Sequence, residues 1–152
     1  PGCGVGGHCI AVDPWFIASA APEITPLIQT ARNVNNLKSK WVIEKIKLRA
    51  KYLETKLNRD PKVACLGLAY KPNIDDLRES PALEITTALM NFGVHVLPCE
   101  PNLLNHSSFT LYSLAEVLVK SDLLVLLVSH NEFKDINFSK YEILDFCGLT
   151  KP

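Results

Sequence analysis

The chain changes its hydrophobic period once, near residue 58. Before that point, the stretch from Pro26 to Asn58 has no glycine and no second proline. Within it Leu27, Ala31, Val34, Trp41, Ile46, Leu53 and Leu57 recur at a helical period. The pattern predicts one helix, roughly 45–50 Å long at about 1.5 Å per residue. So long a helix in a chain of 152 residues suits a connector or a dimer interface. Beyond Asn58 the texture alternates. "KVACLGLAY" is an unbroken apolar run, as a strand covered on both faces requires. Ser80-Pro81 opens a helix over "ALEITTALMNF", which Gly93 ends. "VHVLPCE" predicts a second strand, and Ser113 with Glu116 forms a capping box for "LAEVLVK". "LLVLLVS" predicts a third strand, followed by a short helix near "NEFKDI" and a last strand near "YEILDF". This alternation predicts an α/β fold with a parallel, doubly wound sheet. Ligands bind outside the carboxyl ends of such strands. Tyr70 to Arg78, Cys99 to Asn102 and Ser129 to Asn131 are therefore expected around one crevice.

The residues before the long helix follow neither period. Residues 1–12 are too rich in glycine for a helix or strand and predict a loop. Asp13-Pro14 then has the form of an N-cap followed by proline, opening a short helix over "PWFIASAA". Thr25-Pro26 repeats that signal at the start of the long helix. The linker-like "LNRDPK" divides the chain into residues 1–58 and 59–152. "NLLNHSSFTLY" is expected to be a surface loop.

Composition narrows the classes. A hydrophobic fraction of 47% supports a core, and a formal net charge of zero gives no reason to expect nucleic-acid binding. No apolar run reaches membrane-spanning length, and no signal peptide is visible. Five cysteines, an odd number without a C-x-x-C, favour reduced thiols in the cytoplasm over a disulfide framework. Cys3, His8 and Cys9 lack the spacing of a zinc site, so no metal is expected.

Three stretches have the residues to carry chemistry. Cys9 ends a glycine turn, where a substrate meets little steric obstruction, and thiolates are good nucleophiles. Asp13 follows four residues on, where it could orient a water or hold a base. The plainer alternative is a simple turn with a small buried thiol and an N-cap, with His8 as a hydrogen-bonded loop residue. In "GLAYKPNIDDLRES", Lys71 and Arg78 flank a helix N-terminus at the mouth of the sheet, which suits phosphate or pyrophosphate. This stretch has neither the dinucleotide fingerprint nor a Walker loop. Its alternative is a solvated loop with Arg78 paired to Asp75 or Asp76. Asn35 interrupts the apolar stripe beside Val34, to hold a loop or a ligand or to set helix register. The lysines from Lys38 to Lys62 form a solvated helix face.

"GVGGHCIAVD", "RNVN" and "GLAYKPNIDDLRES" occur in that order. The UDP-glucose/GDP-mannose dehydrogenase family carries G-x-G-G-[SH]-C-[FI]-x-x-D, R-x-V-N and G-x-[AS]-[FY]-K-x-x-x-x-D-x-R-E-S in the same order, and the chain resembles it over nearly its whole length. With His8 before the cysteine and Val12 before the aspartate, the variant is most similar to members acting on UDP-N-acetyl-D-mannosamine. The resemblance implies a Rossmann-like parallel sheet, the UDP-binding domain, over 59–152. A catalytic loop and a long central helix, through which a homodimer forms, precede it in 1–58. The implied reaction is an NAD-dependent, four-electron oxidation of the sugar C6 alcohol to the acid through a cysteine thiohemiacetal and thioester. UDP-glucose and UDP-N-acetylglucosamine are alternative substrates, and a non-catalytic nucleotide-binding or dimerisation module is the alternative of another class. By the same resemblance Cys9 is the nucleophile and Asp13 positions or activates water. Gly4, Val5, Gly6 and Gly7 lie against the substrate, Tyr70 and Lys71 contact the UDP-sugar, and Arg78 reaches the NAD pyrophosphate. Asn35 is a structural helper at most. The family's N-terminal NAD-binding domain is expected to lie outside this chain, leaving it inactive alone and its opening loop loose.

Overall fold

The computed structural model describes residues 2–150, so Pro1, Lys151 and Pro152 lie outside the description. Four parallel strands, β1 (Lys62–Leu66), β2 (His95–Cys99), β3 (Leu123–Leu126) and β4 (Ile143–Asp145), form one sheet in the order β2-β1-β3-β4. Lys62 stands opposite His95, Val63 opposite Leu123 and Leu124 opposite Ile143. The chain winds outward from β1 to β2, then crosses back to β3, as the alternation predicts. Pro98, which cannot donate to a ladder, sits on the edge strand β2.

The central strands have no wet face, and their side chains alternate between two cores. Val63, Cys65, Leu123 and Val125 pack on one side against Val42, Ile46, Leu53, Ile85 and Leu89. Those partners come from α2 (Pro26–Leu57) and α3 (Pro81–Asn91). Ala64, Leu66, Leu124 and Leu126 pack on the other side with Val117 of α4 (Leu114–Lys120) and with Phe133. Two caps read from the sequence are in place. Ser80 accepts the Leu83 N–H at 3.3 Å and donates its hydroxyl to the Leu68 carbonyl at 2.6 Å. Ser113 and Glu116 form the capping box of α4.

The strands are shorter than the apolar runs that announce them. "KVACLGLAY" is strand only to Leu66, because Gly67 turns the backbone at φ +85°. Leu68 and Ala69 continue as buried loop, and Leu127 and Val128 do the same after β3. "NEFKDI" holds a single 3-10 turn, Asn131–Phe133.

The helical half corrects two expectations. α1 (Asp13–Ala20) has Val12, not Asp13, at its N-cap, with no side-chain cap; Asp13 is already helical and donates its N–H to the Cys9 carbonyl. Thr25 does stand at the α2 N-cap, but its hydroxyl donates to the Ala21 carbonyl instead of capping. α2 itself, 32 residues and so about 48 Å long, carries two apolar faces that the sequence stripe merges. Ser39, Val42, Ile43, Ile46, Ala50 and Leu53 are buried against the sheet side. Leu27, Val34, Trp41 and Leu48, spaced by seven, stay exposed with Leu37 and Tyr52. Propensity and period detect an apolar position but not which of two faces it joins.

Ile46, fully buried, and Leu27, 80% exposed, separate the two faces by experiment. Ile46→Ala is expected to cost about 2–5 kcal/mol in urea unfolding. Leu27→Ala is expected to change the stability of the monomeric chain by no more than about 0.5 kcal/mol.

Candidate active site

Strand order reverses between β1 and β3, and the crevice opens at that switch point, above their carboxyl ends. Tyr70 and Lys71 approach it from β1 and Leu127 to Ser129 from β3, with Gly2, Cys3 and Gly4 of the opening loop as the third wall. The opening loop is tied down here. The Asn35 amide clamps the Val5 peptide from both sides: its Oδ1 accepts the Val5 N–H at 2.7 Å and its Nδ2 donates to the Val5 carbonyl at 3.1 Å. Of the roles open to Asn35, the structure shows it holding a loop.

The crowded glycines answer to close approach. A Cβ on Gly6 would lie 2.1 Å from the Glu79 carbonyl oxygen and 2.7 Å from Pro81. Gly7, at φ +99°, would place one 3.0 Å from the Tyr70 ring, and Gly4, at φ +145°, one 3.2 Å from Pro81. Glu79 itself holds the left-handed conformation at φ 51°, uncommon for a residue with a side chain. Two motifs some seventy residues apart in the sequence are thus one surface. Gly6 and Gly7 are buried by the chain's own backbone and rings, while Val5 is 52% exposed.

Cys9 caps this arrangement. The Val12 and Asp13 N–H groups both donate to the Cys9 carbonyl, so Asp13 stands one turn beyond the thiol, and both residues are exposed. Cys3, Cys65, Cys99 and Cys147 are buried or half-buried, and burial pushes each thiol up to about 12. Cys9 is the exposed thiol of the five. Arg78 is engaged as the plainer alternative requires, with Asp76 and not Asp75 as its partner. Its Nε donates to both carboxylate oxygens at 3.0 Å, and its Nη2 donates at 2.6 Å. Those bonds hold Asp76 down at about 2 and raise Arg78. The Arg78 side chain remains 63% exposed. Lys71 is exposed too, its Nζ 5.6 Å from the centroid of the Tyr70 ring.

Two residues at the floor of the crevice were placed there by the sequence but given no role. Glu100 and His130 both have fully buried side chains, with His130 Nε2 3.0 Å from Glu100 Oε2. The same oxygen accepts the Leu68 and Ala69 N–H groups at 2.7 and 3.1 Å. Oε1 accepts the Asn102 N–H and side-chain amide at 3.0 and 3.2 Å. Burial pushes the Glu100 carboxyl up, and the bonds from His130, Leu68 and Asn102 outweigh it, leaving the group below its ordinary value. The available signal was a glutamate directly after a buried apolar strand, which demands partners. Among the described residues no cluster of His, Cys, Asp and Glu could hold a metal, and no helix is long and apolar enough to cross a membrane.

The comparisons with known proteins agree with this geometry. Residues 64–145 match the UDP-binding domain, and residues 1–37 the central domain, of the UDP-glucose/GDP-mannose dehydrogenase family. The chain belongs to that family. It is 45% identical over 155 aligned residues to UDP-N-acetyl-D-mannosamine dehydrogenase of Campylobacter jejuni, covering 97% of this chain and 36% of the relative. It is 42% identical to the NDP-N-acetyl-D-galactosaminuronic acid dehydrogenase of Ralstonia solanacearum, covering 98% of this chain and 36% of the relative. A solved UDP-D-ManNAc dehydrogenase from Pyrococcus horikoshii matches all of this chain with 37% of its own, at TM-score 0.81 and 32% identity. The chain therefore spans little more than a third of the length of these family members.

The Asn35 clamp has a direct readout. Asn35→Leu keeps the branched side-chain shape, leaves the Val5 N–H unpaired and leaves the Val5 carbonyl with Arg32 Nη1 at 3.5 Å, a loss of about 1–3 kcal/mol. Hydrogen exchange at the Val5 N–H is expected to accelerate roughly 10- to 100-fold, with the helicity of α2 unchanged by circular dichroism.

Proposed function

We propose that these residues are the catalytic loop, central helix and UDP-sugar-binding domain of an NAD-dependent UDP-N-acetyl-D-mannosamine 6-dehydrogenase of the cytoplasm. Residues 1–58 supply the first two parts and 59–152 the third. The observation that carries the proposal is the junction of the exposed Cys9 turn with the loop bearing Tyr70, Lys71 and Arg78. Tyr70 and Lys71 stand at the switch point of a parallel sheet, where a nucleotide is expected, and the turn that bears Cys9 packs on the Tyr70 ring through Gly7.

In this assignment Tyr70 and Lys71 hold the UDP-sugar, and the Gly4–Gly7 backbone, with Val5, lies along the sugar so that C6 reaches Cys9. The Cys9 thiolate adds its sulfur to the C6 aldehyde, and the resulting thiohemiacetal, once oxidised, is a thioester on Cys9. Water placed by Asp13 attacks the thioester carbonyl, the C–S bond breaks, and the acid leaves with the thiol restored. Cysteine suits the task because a thioester holds the acyl oxidation level and still hydrolyses. NAD⁺, when bound, supplies the hydride acceptor for both oxidations. Arg78 fits its pyrophosphate: the guanidinium is planar and its side chain is exposed. A pyrophosphate there must share that fork with Asp76 or displace it. The other NAD-binding groups are assigned to sequence beyond these residues.

The choice of sugar rests on the relative from Campylobacter jejuni, and the Ralstonia solanacearum relative, at 42% identity, favours a second reading with another nucleoside-diphosphate N-acetylhexosamine. The exposed heptad Leu27, Val34, Trp41 and Leu48 supports a homodimer formed along α2.

The deciding experiment follows NADH with the full-length enzyme that contains this chain. Two NADH per UDP-N-acetyl-D-mannosamine are expected, with turnover abolished in Cys9→Ala and absent from the 152-residue chain alone. Two NADH from a different UDP-sugar only would keep the chemistry and replace the substrate, and none from any would overturn both. Sedimentation of the same enzyme is expected to show a dimer that Trp41→Glu converts to monomer.

A further inference from the structure

The loop that carries Tyr70 and Lys71 is not held by the strand it leaves. It turns sharply at Asn73, a residue with a side chain at φ 61°. Two bonds from the far side of the crevice fix that turn. The Asn73 N–H points at His130 Nδ1, 2.9 Å away, and the Asn73 Oδ1 accepts the Asn131 N–H at 2.8 Å. The partners decide the state of the imidazole. Nδ1 faces two donors, the Asn73 N–H and the Asn102 side-chain amide at 3.0 Å, so Nδ1 carries no proton. Nε2 faces the Glu100 carboxylate at 3.0 Å, so Nε2 carries one. His130 is then a neutral ring of fixed tautomer, fully buried, with its edge against Phe133 at a centroid distance of 5.5 Å. Gly67 is part of the same device: a Cβ there would lie 3.1 Å from the ring and 2.6 Å from Val128.

We infer that His130 is a positioning residue for the substrate loop: its Nδ1, aimed by the buried Glu100 carboxylate, accepts the Asn73 N–H and sets the turn that presents Tyr70 and Lys71. The inference rests on the assignment of Tyr70 and Lys71 to the UDP-sugar. It adds a residue that touches no substrate and acts through the acceptor lone pair of one nitrogen. A large side chain that merely filled the space beside Phe133 would pack there without supplying that lone pair.

The test separates the lone pair from the volume. Asn at position 130 places an acceptor oxygen where Nδ1 stands, Gln places an amide nitrogen where Nε2 stands, and Leu supplies neither. With UDP titrated calorimetrically onto the full chain, His130→Leu and His130→Gln are expected to weaken binding about tenfold or more. His130→Asn is expected to stay within about threefold of the parent, because it restores the acceptor. Exchange of the Asn73 N–H, followed without UDP, is expected to accelerate in the Leu and Gln variants and not in the Asn variant. Equal affinity in all three, or Gln binding as well as Asn, would overturn the inference. Should the Leu variant not fold, the ¹⁵N spectrum of the unaltered protein decides: an imidazole protonated at Nδ1 at neutral pH overturns it, and one protonated at Nε2 alone supports it. A parent chain that fails to bind UDP at all would sink the assignment of the site, while the Asn73 exchange rates would still judge the clamp.

Discussion

No side chain fits between Gly6 and the Glu79 carbonyl, where an added Cβ would sit 2.1 Å from oxygen. The candidate active site depends on that backbone-to-backbone approach. The opening loop has no strand or helix of its own to fix its course. It borrows order from Asn35 on one side, and from Glu79, Pro81 and Tyr70 on the other. Because Tyr70 and the Glu79–Pro81 turn belong to the sheet domain, the exposed thiol is registered directly against the groups that would hold a nucleotide. A loop resting on water would leave that spacing to chance, and a misplacement of about 1 Å costs a reaction on the order of a hundredfold.

The floor beneath is a response to a different constraint. Parallel strands covered on both faces send their connecting loops over a dry rim, where backbone N–H groups lose water. After β1 the amides of Leu68 and Ala69 are in that position, and after β2 so is that of Asn102. One carboxylate, Glu100, accepts all three and is itself steadied by His130. A buried acid is costly alone, yet here hydrogen bonds hold it ionised. The price of the dry rim is a polar network that has to be complete.

Much of this was legible beforehand. The change of period near Asn58 marks the end of α2, and Ser80, Gly93 and the Ser113–Glu116 box mark real helix ends. The stretches after β1, β2 and β3 meet, as the strand order requires. What was not legible has physical causes. A one-dimensional stripe cannot tell a helix face buried by its own chain from one left bare, so Leu27, Val34 and Trp41 were grouped with Ile46. An apolar run does not announce where strand becomes buried loop; Gly67 does so only through its φ. Asp13 has the letters of an N-cap but already lies within the helix, because the Cys9 carbonyl accepts its N–H. His130 and Asn73 are far apart in sequence, and nothing local to either reveals the other.

The distribution of sulfur has a practical side. Four of the five thiols are buried or half-buried, with burial pushing each up to about 12, whereas Cys9 stands on the outer turn of the loop. A maleimide dye or spin label applied to the native protein is directed to one address, without deletion of the other cysteines. The reporter would then sit on the loop that packs against Tyr70 and the Glu79–Pro81 turn. The fold thus supplies a natural single-site probe for watching the two motifs part or close.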